Sequence, residues 1–233
     1  DTEYNENDYL ISFSPDVILG NPGYNTFYGF QGVTQMLFSD VLGDHQIYVQ
    51  ANLLTDLQNS QIFGSYSNLS GIIDYRFAGY LSSGIAYLND QNWYRFSNWG
   101  FGTTLSYPLS LFERFDFSAS FMNIGKTNIE YPQLTSISKY LIVPSVSYVF
   151  DNTLWGYYAP REGARYNFTI QGSPTLGDNG VGFATFTTDM RYYLPINDYL
   201  GFAFRGAGGA SIGPNPQRFF LGGTDNWINR RFK

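Results

Sequence analysis

The chain has 233 residues, 43% hydrophobic and 19% aromatic, with 14% charged residues, a formal net charge of -6, one His and no Cys. Soluble domains carry about 25% charged residues, so aromatics and glycine occupy positions that Lys and Glu would normally take. Disulfides and thiolate metal sites are excluded, a nucleic-acid partner is disfavoured by the charge, and no run of about 18 apolar residues exists to form a membrane-spanning helix.

Period two dominates instead, in about eleven segments separated by turn signals. The first covers Tyr9–Leu19, with Ile11, Phe13, Val17 and Leu19 on one side and Ser12, Ser14 and Asp16 on the other. Asn21-Pro22-Gly23 reads as a turn before Tyr24–Phe38, where Phe30, Met36 and Phe38 alternate with Gly29, Gln31 and Gln35. Val41–Asp44 is a tight connection to His45–Thr55, in which Ile47, Val49, Ala51 and Leu53 oppose Gln46, Tyr48, Gln50 and Asn52. Gln61–Leu69 and Tyr75–Leu88 follow, and Leu88–Asn98 reads as a polar-aromatic loop.

Gly100–Tyr107 alternates again, and a turn at Phe112–Arg114 leads into Phe115, Phe117, Ala119 and Phe121. Lys126–Ser138 reads as a loop, and Tyr140–Phe150 as a strand. The clearest pair is Ala164–Gln171 with Gly180–Leu194. There Tyr166, Phe168, Ile170, Phe186, Met190 and Tyr192 share one face, and Arg165, Asn167, Thr169, Thr185, Thr187, Asp189 and Arg191 the other. After the turn Pro195–Asp198 an eleventh strand sets Leu200, Phe202 and Phe204 against Gly201, Ala203 and Arg205. Ala207–Lys233 is Gly-rich and does not alternate.

Half-buried sandwich strands also alternate, but they average about 5–6 residues. Longer strands with an apolar outer band, aromatic ends and a polar, Gly-containing inner face suit a lipid-facing barrel wall. Connections alternate too: short at Val41–Asp44, Phe112–Arg114 and Pro195–Asp198, mostly longer on the other side. The expectation is an all-β, transmembrane, antiparallel up-and-down β-barrel. Eleven is an odd number, whereas bacterial barrels close with an even one.

The residues offer little chemistry. His45 is the single histidine and sits beside Asp44, which reads as a solvated strand start, so catalytic residues, metal ligands and cofactors are all expected to be none. Arg165, Asp189, Arg191 and Arg205 come from adjacent inner faces and form a polar ladder that solvates the lumen and pins a loop; a solute-selecting ring is the rival reading. Gly222-Gly223 lacks the strand–loop–helix setting of a phosphate cradle. Trp93, Trp99, Trp155 and Trp227 near strand ends or loops read as interfacial anchors.

One stretch carries a more specific signal. Gln217-Arg218-Phe219-Phe220-Leu221-Gly222-Gly223, followed by Asn229-Arg230-Arg231-Phe232, resembles the segment of BamA/TamA-type (bacterial surface antigen) barrels that enters their sixth extracellular loop. Asp151-Asn152 with Pro160-Arg161-Glu162-Gly163 is similar to that family's turn between its eighth and ninth strands. Ser14-Pro15-Asp16, Gly23–Gly29 and Phe38–His45 resemble the narrower group in which such a barrel follows a TolB-like propeller in Bacteroidota-type envelope proteins.

The resemblance implies one domain over residues 1–233 of an outer-membrane barrel in a Gram-negative bacterium. It would hold strands one to eleven of sixteen plus the start of the sixth loop at 213–233, with the remainder beyond Lys233. It also implies a lumen loop motif of Phe219, Phe220, Gly222, Gly223, Arg230 and Arg231. The family tip is Arg-Gly-aromatic, whereas this chain has no Gly there, and Arg230 is the preferred lumen arginine. The implied function is non-enzymatic insertion or translocation of other proteins. Implied partners are outer-membrane lipid or lipopolysaccharide, client barrels and envelope subunits. A structural anchor for a periplasmic module and a passive porin are the alternatives.

Overall fold

The computed structural model describes residues 9–26, 29–54, 59–87, 92–131, 133, 136–157, 159–177, 180–197, 200–220 and 229–231. Among them, eleven long strands form one antiparallel meander in chain order. They are β1 (Ser14–Asn25), β2 (Gly29–Ser39), β3 (His45–Leu54), β4 (Gln61–Asn68), β5 (Asp74–Tyr87), β6 (Trp93–Pro108), β7 (Glu113–Asn128), β8 (Ser136–Asp151), β10 (Pro160–Ser173), β11 (Phe183–Pro195) and β12 (Gly201–Ile212). The two-residue β9 (Leu154–Trp155) pairs with the start of β10. A separate hairpin joins β13 (Arg218–Phe220) to β14 (Asn229–Arg231). The expected all-β up-and-down architecture is present, as an open sheet among the described residues.

Register sorts the residues by face, because directly paired residues in an antiparallel ladder point the same way. Met36, Val49 and Gly64 are linked in one row, as are Phe101, Phe121 and Ile142 in another. This outer face is apolar and exposed, with Phe101, Val146, Phe186, Phe202 and Phe204 among the uncovered side chains. The opposite, inner face holds Gln50, Arg76, Ser118, Ser147 and Arg191.

Several boundaries differ from the sequence reading. Asn21-Pro22-Gly23 is strand, paired with Val33, Gly32 and Gln31. Proline is tolerated there because, among the described residues, β1 pairs with β2 alone, and an edge strand can spare an N–H. A bulge between Pro15 and Val17 shifts the register, as bulges do. Ile18, opposite Met36, is therefore on the outer face, and Val17 and Leu19 move to the inner one. β12 runs on to Ile212 through Gly206, Gly208 and Gly209, whose missing side chains hid the alternation.

Three further corrections share one cause. β6 begins at Trp93, β7 continues to Asn128 and β8 begins at Ser136, all inside stretches expected to be loop. Toward these ends the polarity of the two faces exchanges. On β7 the inner face changes from Asp116, Ser118 and Ser120 to Met122 and Ile124. Its outer face changes from Phe117 and Phe121 to Asn123, Gly125 and Thr127. Met122 and Ile124 pack against a buried inner cluster of Leu141, Val143, Val181 and Phe183. A search for apolar residues on one constant face loses such a strand at the crossover. Trp99 belongs to this boundary as well: it lies within β6 rather than at its end.

Candidate functional site

The inner face of β8, β10, β11 and β12 brings the four ladder residues together. Asp151, Arg165, Arg191 and Arg205 occupy one cross-strand row. Three neighbouring guanidinium groups would repel one another. Asp189, two residues from Arg191 on β11, relieves this by pairing with two of them. Arg191 donates from Nε to Oδ1 at 3.0 Å and from Nη2 to Oδ2 at 3.2 Å. Arg205 donates from Nη2 to Oδ2 at 2.6 Å. Arg165 is served by Asp151 at 3.4 Å. The row is a polar network of three cations and two anions, partly open to solvent.

Nearer the other end of these strands, the chain after β12 turns back over the same face. Asn215 donates its N–H to the Gly182 carbonyl at 2.9 Å, and Gly182 N–H donates to Asn215 Oδ1 at 3.3 Å. Gln217 is 7% exposed; its N–H donates to Ser211 Oγ at 2.8 Å, and its Oε1 accepts from Gln171 at 3.3 Å. Ser211 Oγ also lies 2.9 Å from Thr185 Oγ1. The Phe219 ring then rests on Gly209, so tightly that a Cβ there would lie 2.8 Å from Phe219 Cζ. Gly209 carries no side chain where the Phe219 ring lies on top of it.

Phe219 thus sits over the inner face. Arg230 is placed by register alone, opposite Phe219, with Arg231 opposite Arg218 and Asn229 opposite Phe220. Gly222, Gly223 and Trp227 lie outside the described residues. Sequence reasoning missed Gly209, Ser211 and Asn215, and named Gln217 only as the first residue of the loop motif. The Pro214-Asn215-Pro216 run was the available signal, since the prolines set an extended path and leave Asn215 to supply the polar contacts.

The other motif is a connection rather than a site. Asn152 Oδ1 accepts from Ala164 N–H at 2.7 Å, and Asn152 N–H donates to the Ala164 carbonyl at 3.1 Å. Gly163 has φ +107, and a Cβ there would lie 2.6 Å from the Asn152 carbonyl oxygen. The residues Asp-Asn and Gly are thus dictated by a tight crossing of backbones. His45 is equally structural: Nδ1 lies 2.7 Å from the Tyr66 hydroxyl, and its N–H donates to Asp40 Oδ1 at 3.0 Å. Among the described residues no group of three His, Cys, Asp or Glu could hold a metal ion.

No protein-family model matches the chain, and no curated protein matches it. Among solved structures, the crystal structure of BamA from Haemophilus ducreyi lacking POTRA domains 1-3 matches with a TM-score of 0.61 at 14% identity, covering 88% of this chain and 42% of that one. The chain therefore spans about two fifths of that structure's length. At this identity the match speaks to fold: the meander from β1 to β12 is the wall of a BamA-like β-barrel.

Proposed function

We propose that the chain is the wall of a non-enzymatic outer-membrane β-barrel that takes part in inserting or translocating other proteins. The apolar outer face supports the membrane setting, since a sheet that exposes rows of Phe, Tyr, Val and Leu needs lipid against it. The observation that carries the insertion reading is β1. It pairs with β2 alone among the described residues, contains two prolines that remove N–H donors, and is bulged at Pro15–Val17. Such an edge makes a weak closing ladder and a template on which an incoming strand can add. The segment over the inner face, with Gln217 and Phe219 against the wall, fits a braced lumen better than a passive channel.

The test is a photo-crosslinking residue at Gly20, on β1, in the intact protein in cells. Crosslinks to newly made outer-membrane proteins are expected, together with a loss of their assembly on depletion. Normal assembly of those proteins after depletion would instead favour an anchoring role.

A further inference from the structure

The charged side chains of the wall are concentrated on its inner face. Among the described strand residues of β2–β8, β11 and β12, register places two Lys, Arg, Asp or Glu side chains on the outer face: Arg95 on β6 and Glu113 on β7. They lie at opposite ends. Glu113, at the end of the short connections, accepts from the Tyr148 hydroxyl at 3.1 Å. Arg95, at the long-loop end, is half-buried and stands opposite Ile85 on β5 and Thr127 on β7. The outer-face rows leading to it are ordered. Phe101 and Phe121 share an apolar row, Trp99 and Tyr140 the next, Ser97 and Ser138 the third, and Arg95 and Thr127 the fourth. Asn123 donates to Ser138 Oγ at 2.6 Å. A Cβ on Gly125 would lie 2.7 Å from Ser97 Oγ, so the Ser97 side chain occupies the space over that glycine.

Apolar, aromatic, hydroxyl, cation is the order in which a leaflet passes from acyl chain through interface to headgroup. The spacing agrees. Thr127, opposite Arg95, is fourteen positions from Glu113 along β7. At about 3.4 Å per residue and a tilt of about 35–45°, the two charges stand about 34–39 Å apart along a barrel axis. A bilayer's hydrocarbon core is about 30 Å thick, and the whole bilayer about 40–45 Å. Both charges therefore clear the core and fall within the headgroup layers, one in each leaflet. A guanidinium at that depth meets lipid phosphates and can pair with two of their oxygens. A carboxylate there would be repelled by them, and Glu113 is at the other end.

We infer that Arg95, with the hydroxyls of Ser97 and Thr127 beside it, binds the phosphate of an anionic membrane lipid in the leaflet at the long-loop end. The occupant is a lipid rather than a soluble phosphate because the rows below Arg95 lead directly into the apolar band. There the acyl chains of the same molecule lie against Phe101 and Phe121. This inference rests on the barrel reading above and adds a lipid class together with the residue that selects it.

The full-length protein is folded into phosphatidylcholine vesicles carrying a trace of spin-labelled phosphatidylglycerol or spin-labelled phosphatidylcholine. The motionally restricted fraction of each spectrum measures the lipid held on the outer wall. The native protein is expected to prefer phosphatidylglycerol several-fold. Lys126→Gln, which removes an inner-face cation from the same end of the sheet, should keep that preference. Arg95→Gln should lose it, and Arg95→Lys should retain part of it. A native protein that restricts both lipids equally, or an Arg95→Gln variant with the native preference, overturns the inference and leaves the barrel intact. An equal loss in Lys126→Gln overturns it in favour of net charge. Displacement of the labelled lipid by inorganic phosphate at constant ionic strength overturns it in favour of a soluble-anion site. Absence of any restricted lipid sinks the barrel reading itself. Should Arg95→Gln fail to fold, Thr127→Glu sets a carboxylate opposite Arg95 and should abolish the preference in its place; an unchanged preference there counts against the site equally.

Discussion

Asp189 holds two arginines at once, and its removal should leave both unbalanced on the inner wall. The Asp189→Asn variant is expected to lose about 1–2 kcal/mol, read as a lower temperature for loss of heat-modifiable migration on cold gels. Arg165→Ala should cost less, since its 3.4 Å partner Asp151 and its own side chain are more exposed. Gly209 makes a sharper test of the returning segment. Gly209→Val must push Phe219 off the wall, so limited proteolysis within 213–220 should accelerate several-fold. Combining it with Phe219→Ala should return much of the protection. Faster cleavage in Phe219→Ala alone, with Gly209→Val silent, would mean that the two do not touch. The arginines and Asp189 were legible as a ladder because each falls on the polar phase of a strong strand. Gly209 was not, since a glycine reveals its contact only when the segment above it is placed.

At the scale of elements, two connections carry their own chemistry. Gly163 at φ +107 crosses Asn152, so Gly163→Ala is expected to cost about 1–3 kcal/mol, and Asn152→Ala about 1–2 kcal/mol through the unpaired Ala164 N–H. Urea midpoints of the folded barrel check both. The β2–β3 turn is pH-sensitive. Burial pushes the Asp40 carboxyl up, but hydrogen bonds from the His45 N–H and the Tyr9 hydroxyl outweigh it and hold the group below its usual range. The same contact raises the Tyr9 hydroxyl. A depressed carboxyl contributes stability above its unfolded value of about 4 and loses it as pH falls through the folded one. A raised phenol contributes below about 10 and loses it as pH rises further. Attachment of the segment before β1 should therefore be firmest between these limits, and Asp40→Asn should flatten the acid limb of its proteolytic protection.

For the whole molecule, the outer face should tolerate charge by depth. Phe117→Arg, in the middle of the band, is expected to cost about 2–4 kcal/mol of folding in lipid, and Ser97→Arg, in the polar outer-face row of Ser83, Ser97, Gly125 and Ser138, about 0–1. Equal costs at both positions would mean that the exchange of polarity does not mark the membrane boundary.

Sequence alone determined the all-β class, the eleven-strand meander and the face of most residues from β2 to β12, because a side-chain period of two is a local property that each strand displays by itself. It also identified the Asp-Asn and Gly pattern of the β8–β10 connection. Tertiary structure alone decided that β1 changes face at Pro15–Val17, that β6, β7 and β8 continue with their polarity exchanged, and that Asn215 and Gln217 lie on the inner wall with the Phe219 ring against Gly209. Each of these depends on register or on contact between residues far apart in the chain, and no local pattern carries that information.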